Sequence, residues 1–190
     1  MNIMKHSGRL CLLLLLFIIA IQIKAQESNP AITFILEEVR NIDEYEKSDM
    51  ARLSRTFADG VIYNKKRLSN FFLKRKAIGR FFENYLVKDS SVIKYIRGER
   101  IYQKDDETIS ENRIKAFYFK SGKLLYYQES FYKEEDGLSK EATYDIKYYI
   151  SDDTLLWHAV EGSFDNDISK HFNKILKEKE KLIGDIESVE

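Results

Sequence analysis

Cysteine and proline are almost missing from this 190-residue chain, which has one of each, Cys11 and Pro30, beside three histidines and no net charge. Cys11 lies inside an apolar N-terminal run, so the chain beyond it has no thiol. That excludes disulfides, a cysteine nucleophile and every thiolate metal site from the rest of the protein. The lack of proline-rich or low-complexity stretches argues against disorder. Aromatic residues are plentiful: twelve Tyr, eleven of the twelve Phe, and Trp157 lie beyond residue 25. With neither disulfides nor rigid loops, stability must come mainly from burying these rings.

The first twenty-five residues read as a secretory signal peptide. Lys5 and Arg9 precede the run Leu10 to Ile21, and Ile23-Lys24-Ala25 offers a small residue before Gln26. A membrane anchor competes for the same residues. Leu10 to Ile23 would give about 21 Å of helix against a hydrocarbon core of about 30 Å, too short to span comfortably. The expectation is therefore export, secreted or periplasmic, with cleavage near Ala25 and no transmembrane span afterwards.

Cleavage would leave residues 26–190, enough for one domain, with 28 basic and 31 acidic residues. Only His158 and His171 remain of the histidines. Charge is uneven along this part. Residues 61–100 hold eleven bases against three acids, so both flanks are acidic. Lys65, Lys66, Arg67, Lys74, Arg75, Lys76 and Arg80 form the densest part of that segment and are candidates for binding an anionic surface.

Periodicity predicts helices first and strands afterwards. Asn29 can cap a helix with Pro30 in its first turn and Ile32, Ile35, Leu36, Val39 and Ile42 at helical spacing. A second short helix, with Met50, Leu53 and Phe57 on one side, should end at Asp59-Gly60. Leu68, Phe71, Phe72, Ile78, Phe82, Tyr85 and Leu86 suggest a third helix, weakened by Gly79. Beyond Ser90-Ser91 the period becomes that of strands. Tyr95 to Tyr102 reads as a tight hairpin turning at Gly98, followed by hairpins 113–132 and 142–161 with turns at Ser121-Gly122 and Asp152-Asp153. The last segment, 167–186, returns to helix. The predicted fold is α+β: N-terminal helices over 26–90, an antiparallel β-meander of successive hairpins over 92–161, and a C-terminal helix.

Two of these hairpins repeat. Phe117 to Tyr126 overlays Tyr148 to Trp157 at an offset of 31 residues, aromatic on aromatic and Leu-Leu on Leu-Leu. Tyr118-Phe119-Lys120-Ser121-Gly122-Lys123-Leu124 resembles the aromatic, glycine-lysine-leucine hairpin of small uncharacterised secreted bacterial proteins. That resemblance implies a signal peptide, a helix and then a sheet. It lends no catalytic residue, and the second copy departs from it with Asp153-Thr154-Leu155.

No nucleophile elbow, phosphate-binding loop, zinc helix or calcium loop is present in the sequence. His158, beside Trp157 on a predicted strand, is a conceivable general base but would need an orienting carboxylate and a nucleophile nearby. Two separated histidines make a poor metal site, so no metal and no cofactor are expected. Tyr126, Tyr127, Tyr132, Tyr148, Tyr149 and Trp157 exceed what one face of a small sheet needs. Tyr126, Tyr127, Tyr149, Trp157 and His158 are therefore the candidate ligand-binding residues. Together these features favour a non-enzymatic binding or accessory protein for an unidentified ligand or protein partner. A secreted hydrolase is one alternative, and binding of anionic lipid or polysaccharide through residues 61–100 is another. Export from the cytoplasm disfavours nucleic acid.

Overall fold

The structure is a computed structural model that describes residues 29–48, 51, 55–63, 77–103, 106–135 and 138–187. The predicted signal peptide lies outside these residues. Helix α1 (Pro30–Lys47) leads into strands β1 (Arg55–Tyr63), β2 (Ala77–Lys88), β3 (Ser91–Gln103), β4 (Asp106–Lys120), β5 (Lys123–Glu135), β6 (Leu138–Ser151) and β7 (Thr154–Gly162). Helix α2 (Ile168–Glu187) closes the chain. The strands form one antiparallel sheet in sequence order, β1 through β7. No helix of the described residues is long and apolar enough to cross a membrane.

The fold class therefore differs from expectation. Strand accounts for 61% of the structure, with one helix before the sheet and one after it, so the fold is mainly β rather than α+β. The difference lies in residues 55–63 and 77–88, which are strands where parts of the second and third helices are expected; Ala51 is helical, and Met50, Leu53, Leu68, Phe71 and Phe72 lie outside the described residues. In β2 both sides carry rings, Phe81 and Tyr85 on one and Phe82 on the other. A strand apolar on both faces loses the two-residue alternation that would identify it.

Three hairpins set the frame. Their turns are Asp89-Ser90, Ser121-Gly122 and Asp152-Asp153, and all six residues have positive φ, between 48° and 75°. Two such residues in succession make the type I′ turn whose twist matches that of paired strands. Each turn is followed by a bulge, at Ile93, Leu125 and Leu156, the residue skipped where the register shifts. The internal repeat thus has a third copy upstream, centred on Asp89-Ser90. The hairpin expected at Gly98 is not there, because β3 runs straight through it. Gly98 is needed for a different reason: a Cβ at that position would fall inside the Phe82 ring lying over it.

Pairing aligns the rings in rows across the sheet. Leu86, Lys94, Tyr118, Tyr126, Tyr149 and Trp157 form a row on the first face. Tyr85, Tyr95, Phe117, Tyr127, Tyr148 and His158 form the corresponding row on the second. Helix α1, capped by Asn29 Oδ1 accepting from Ala31 N at 3.0 Å, packs Ile32, Ile35 and Ile42 against the first row. Helix α2, whose start is held by Asp167 Oδ1 accepting from Lys170 N at 2.8 Å, packs Phe172, Ile175 and Leu182 against the second. Both helices sit over the turn end of the sheet. No described element covers the opposite end of the first face, where Phe57 is 64% exposed and Phe82 37%.

Candidate functional site

The expected aromatic site is divided by the sheet. Tyr126, Tyr149 and Trp157 point to the first face and Tyr127 and His158 to the second, because neighbours on a strand alternate. Tyr126 and Tyr149 are buried beneath α1 in a chain of rings, Tyr118 to Tyr126 to Tyr149 to Trp157, with centroids 5.4, 5.3 and 5.3 Å apart. Tyr127 is fully buried beneath α2. Trp157 is half-buried and His158 exposed on edge strand β7. These residues line no common cleft.

Of the basic candidates only Arg80 is among the described residues. Lys65, Lys66, Arg67, Lys74, Arg75 and Lys76 lie outside the described residues. Downstream, most of the positive charge is neutralised internally. Lys94 is buried and donates to Asp43 Oδ1 at 2.6 Å and Glu46 Oε2 at 2.7 Å. Burial alone would lower its pKa, but hydrogen bonds with Asp43 and Glu46 outweigh that and raise it. Arg97 pairs with Glu83 and, at 2.8 Å, with Glu99. Arg80 and Lys88 make no ion pair among the described residues, and Lys88 lies over the Tyr45 ring, 5.0 Å from its centroid.

A polar cluster that sequence reasoning missed lies under α2. Glu129, 2% exposed, accepts from the hydroxyls of Tyr127 and, at 2.6 Å, Tyr144. His171 Nε2 is 3.3 Å from Glu129 Oε2, and its Nδ1 is 2.8 Å from Tyr148 Oη. Arg113 Nε is 3.2 Å from Glu129 Oε1 but is not aligned to donate to it. Burial would raise the Glu129 carboxyl. Donation from His171, Tyr127 and Tyr144 prevails and holds it at about 2. Burial followed by the Glu129 hydrogen bond pushes Tyr144 the other way, up to about 12. Both Glu129 oxygens and His171 Nδ1 are thus hydrogen-bonded to buried tyrosines, which closes the cluster to a substrate. The cluster joins α2 to the sheet. In sequence it was one of many acids, and only pairing brings position 129 beside 144 and 171.

The accessible chemistry lies on the uncovered half of the first face. A cavity of about 350 Å³ has Gly98, Asn112 and Ile114 along its floor and Phe57, Phe82 and Tyr132 among its walls, with Arg80 and Arg100 entering beside them. Phe57 stacks on Phe82 with centroids 6.5 Å apart. Arg80 and Arg100 are direct register partners on β2 and β3, and Asn112 and Tyr132 continue the same row. Arg100 Nη2 donates to Glu134 Oε1 at 3.3 Å, whereas its Nε is buried with no partner. Of the expected site residues that are described, only Arg80 belongs to this cavity. A helical reading of residues 77–88 conceals the pairing of Arg80 with Arg100 and so the rest of the lining. Among the described residues no group of three His, Cys, Asp or Glu side chains could hold a metal ion.

Compared with known proteins, the chain matches no family model, no curated protein and no solved structure.

Proposed function

We propose that this chain is an exported, non-enzymatic binding protein whose recognition site is the cavity on the uncovered half of the first sheet face. The observation that carries the reading is the exposure of Phe57 and Phe82 in one stacked pair at the mouth of a cavity. Exposed large rings gathered around a concavity of a few hundred Å³ are the usual form of a small-molecule site. Ten other rings, among them Tyr95, Phe117, Tyr127 and Tyr148, are buried as core, whereas Phe57 and Phe82 remain exposed. Among the described residues, the cluster of catalytic residue types around Glu129 and His171 is closed, with both carboxylate oxygens held by buried tyrosines, which favours binding over hydrolysis. Export rests on the N-terminal sequence: a positively charged start, a short apolar run and Ala25 before Gln26.

Two measurements test the two halves of this reading. N-terminal sequencing of the protein recovered outside the cytoplasm should begin near Gln26, and an intact Met1 would refute cleavage. Saturation-transfer NMR with a set of small ring compounds should give binders whose signals disappear with Phe57→Ala/Phe82→Ala. Phe57 is largely and Phe82 partly exposed, and circular dichroism of the variant should match that of the unsubstituted chain. The absence of binders, or binders that persist in the variant, would refute the site.

A further inference from the structure

Resting on that cavity, we infer its ligand class: a small organic carboxylate, an apolar ring bearing one anionic group, held between the Arg80 and Arg100 guanidinium groups while the ring lies against Phe57 and Phe82. Arg80 and Arg100 face each other directly across β2 and β3 on the same side of the sheet. Like charges in directly opposed positions repel, so the arrangement is unfavourable unless an anion lies between or beside them. Next in the row is Asn112, whose Nδ2 donates to Ser110 Oγ at 3.1 Å and Glu134 Oε2 at 3.2 Å. Glu134 therefore serves Arg100 and Asn112 together, one carboxylate for two donors. Arg80 makes no ion pair among the described residues, and Arg100 Nε has no acceptor. The row is rich in donors and short of acceptors. Its planar forks fit a carboxylate, which can accept two parallel N–H bonds.

The acids around this row limit the ligand as well. Glu134 is half-buried and committed to Arg100 and Asn112. Glu99 is turned to the second face, where it accepts from Arg97 Nε. Asp59, exposed on edge strand β1 beside Phe82, is the acid left facing the cavity. It pairs with neither arginine among the described residues and should weaken anion binding from the rim. Size and polarity set the remainder. A cavity of about 350 Å³ admits one or two rings. The stacked Phe57 and Phe82 offer an apolar wall on which a flat ring gains contact area and little else.

Calorimetric titration with benzoate, benzyl alcohol and inorganic phosphate tests the assignment. Benzoate should bind roughly tenfold or more tightly than either of the others, the difference expected of a charge-assisted contact. Arg80→Gln should abolish that preference without lowering the thermal unfolding temperature, because Arg80 has no ion-pair partner to strand and its removal relieves the repulsion from Arg100. Asp59→Asn should strengthen benzoate binding several-fold and leave benzyl alcohol unaffected. Equal binding of benzoate and benzyl alcohol, lost together in Phe57→Ala/Phe82→Ala, would overturn the carboxylate assignment while the cavity remained a binding site. Phosphate binding as well as benzoate would overturn the role of the ring. If none of the three binds, the carboxylate assignment is overturned; the reading of the cavity as a binding site falls only if the wider set of ring compounds also yields no binder.

Discussion

His171 reaches Glu129 across the boundary between α2 and the sheet, with Nε2 3.3 Å from Oε2, while its other ring nitrogen lies 2.8 Å from the Tyr148 hydroxyl. With Glu129 ionised, Tyr127 and Tyr144 donate to the carboxylate, His171 Nε2 lies against it as an electrostatic contact, and Nδ1 shares a hydrogen bond with the Tyr148 hydroxyl. The helix is therefore fixed to the sheet by a carboxylate that must stay charged.

The pH dependence follows with a definite sign. Glu129 has an ordinary pKa of 4.5 when unfolded and about 2 when folded. Above pH 4.5 both states are ionised and the stabilisation is complete. As pH falls from about 4.5 towards 2 the unfolded chain takes up a proton that the folded one does not, and stability on the order of 3 kcal/mol is lost. Urea unfolding should show this fall. Glu129→Gln should lower stability at neutral pH by roughly 2–4 kcal/mol, and its deficit relative to the unsubstituted chain should narrow as pH drops through that window. A deficit that is constant with pH would contradict the account.

Lys94 plays the matching part for α1. It stands in the first-face row where the other two hairpin copies have Tyr126 and Trp157, and it points its ammonium at Asp43 and Glu46 with the Tyr118 ring centroid 4.6 Å away. Lys94→Met should cost roughly 2–4 kcal/mol by leaving Asp43 without its cation and Glu46 with Arg55 alone. Adding Asp43→Asn and Glu46→Gln should recover most of that loss, because an apolar side chain suits the row once the charges are gone. Chemical denaturation of the single and triple variants checks both statements.

Turn substitutions should divide by what else the turn residue does. Ser90 is exposed with φ of 60°, so Ser90→Gly should raise stability by about 1 kcal/mol, the cost of a left-handed residue with a Cβ. Asp153 has a similar φ of 58°, but its carboxylate holds the buried Lys179 at 2.9 Å. Asp153→Gly should therefore destabilise, by roughly 1–3 kcal/mol, despite relieving the same backbone strain. Thermal unfolding of the two variants should shift in opposite directions.

What could be read from the sequence follows from how each segment is packed. Helix α1 declares itself through Asn29, Pro30 and an apolar stripe on one side, because only one side of it is buried. Hairpins 113–132 and 142–161 declare themselves through turn residues and paired aromatics. Strand β2 does not, since it is apolar on both faces and Ile78, Phe82, Tyr85 and Leu86 imitate helical spacing. The turn at Asp89-Ser90 lacks the glycine that marks a turn in sequence, whereas Gly98 carries that mark although its small size serves the overlying Phe82 ring. These two misreadings hid the third repeat and, with it, the Arg80–Arg100 pair. The aromatic candidates were correctly recognised as abundant. Their exposure depended on two helices that pack over the turn end of the sheet and leave the other end of the first face open.

The most direct test of recognition at the open half of the first face is amide chemical-shift mapping of the isotope-labelled protein during a benzoate titration. The account predicts saturable shifts at Gly98, Arg100, Asn112 and Ile114, and none at Tyr126, Tyr149 or Trp157. Shifts centred on Trp157 and His158 at the β7 edge, or none at the four cavity positions, would contradict it.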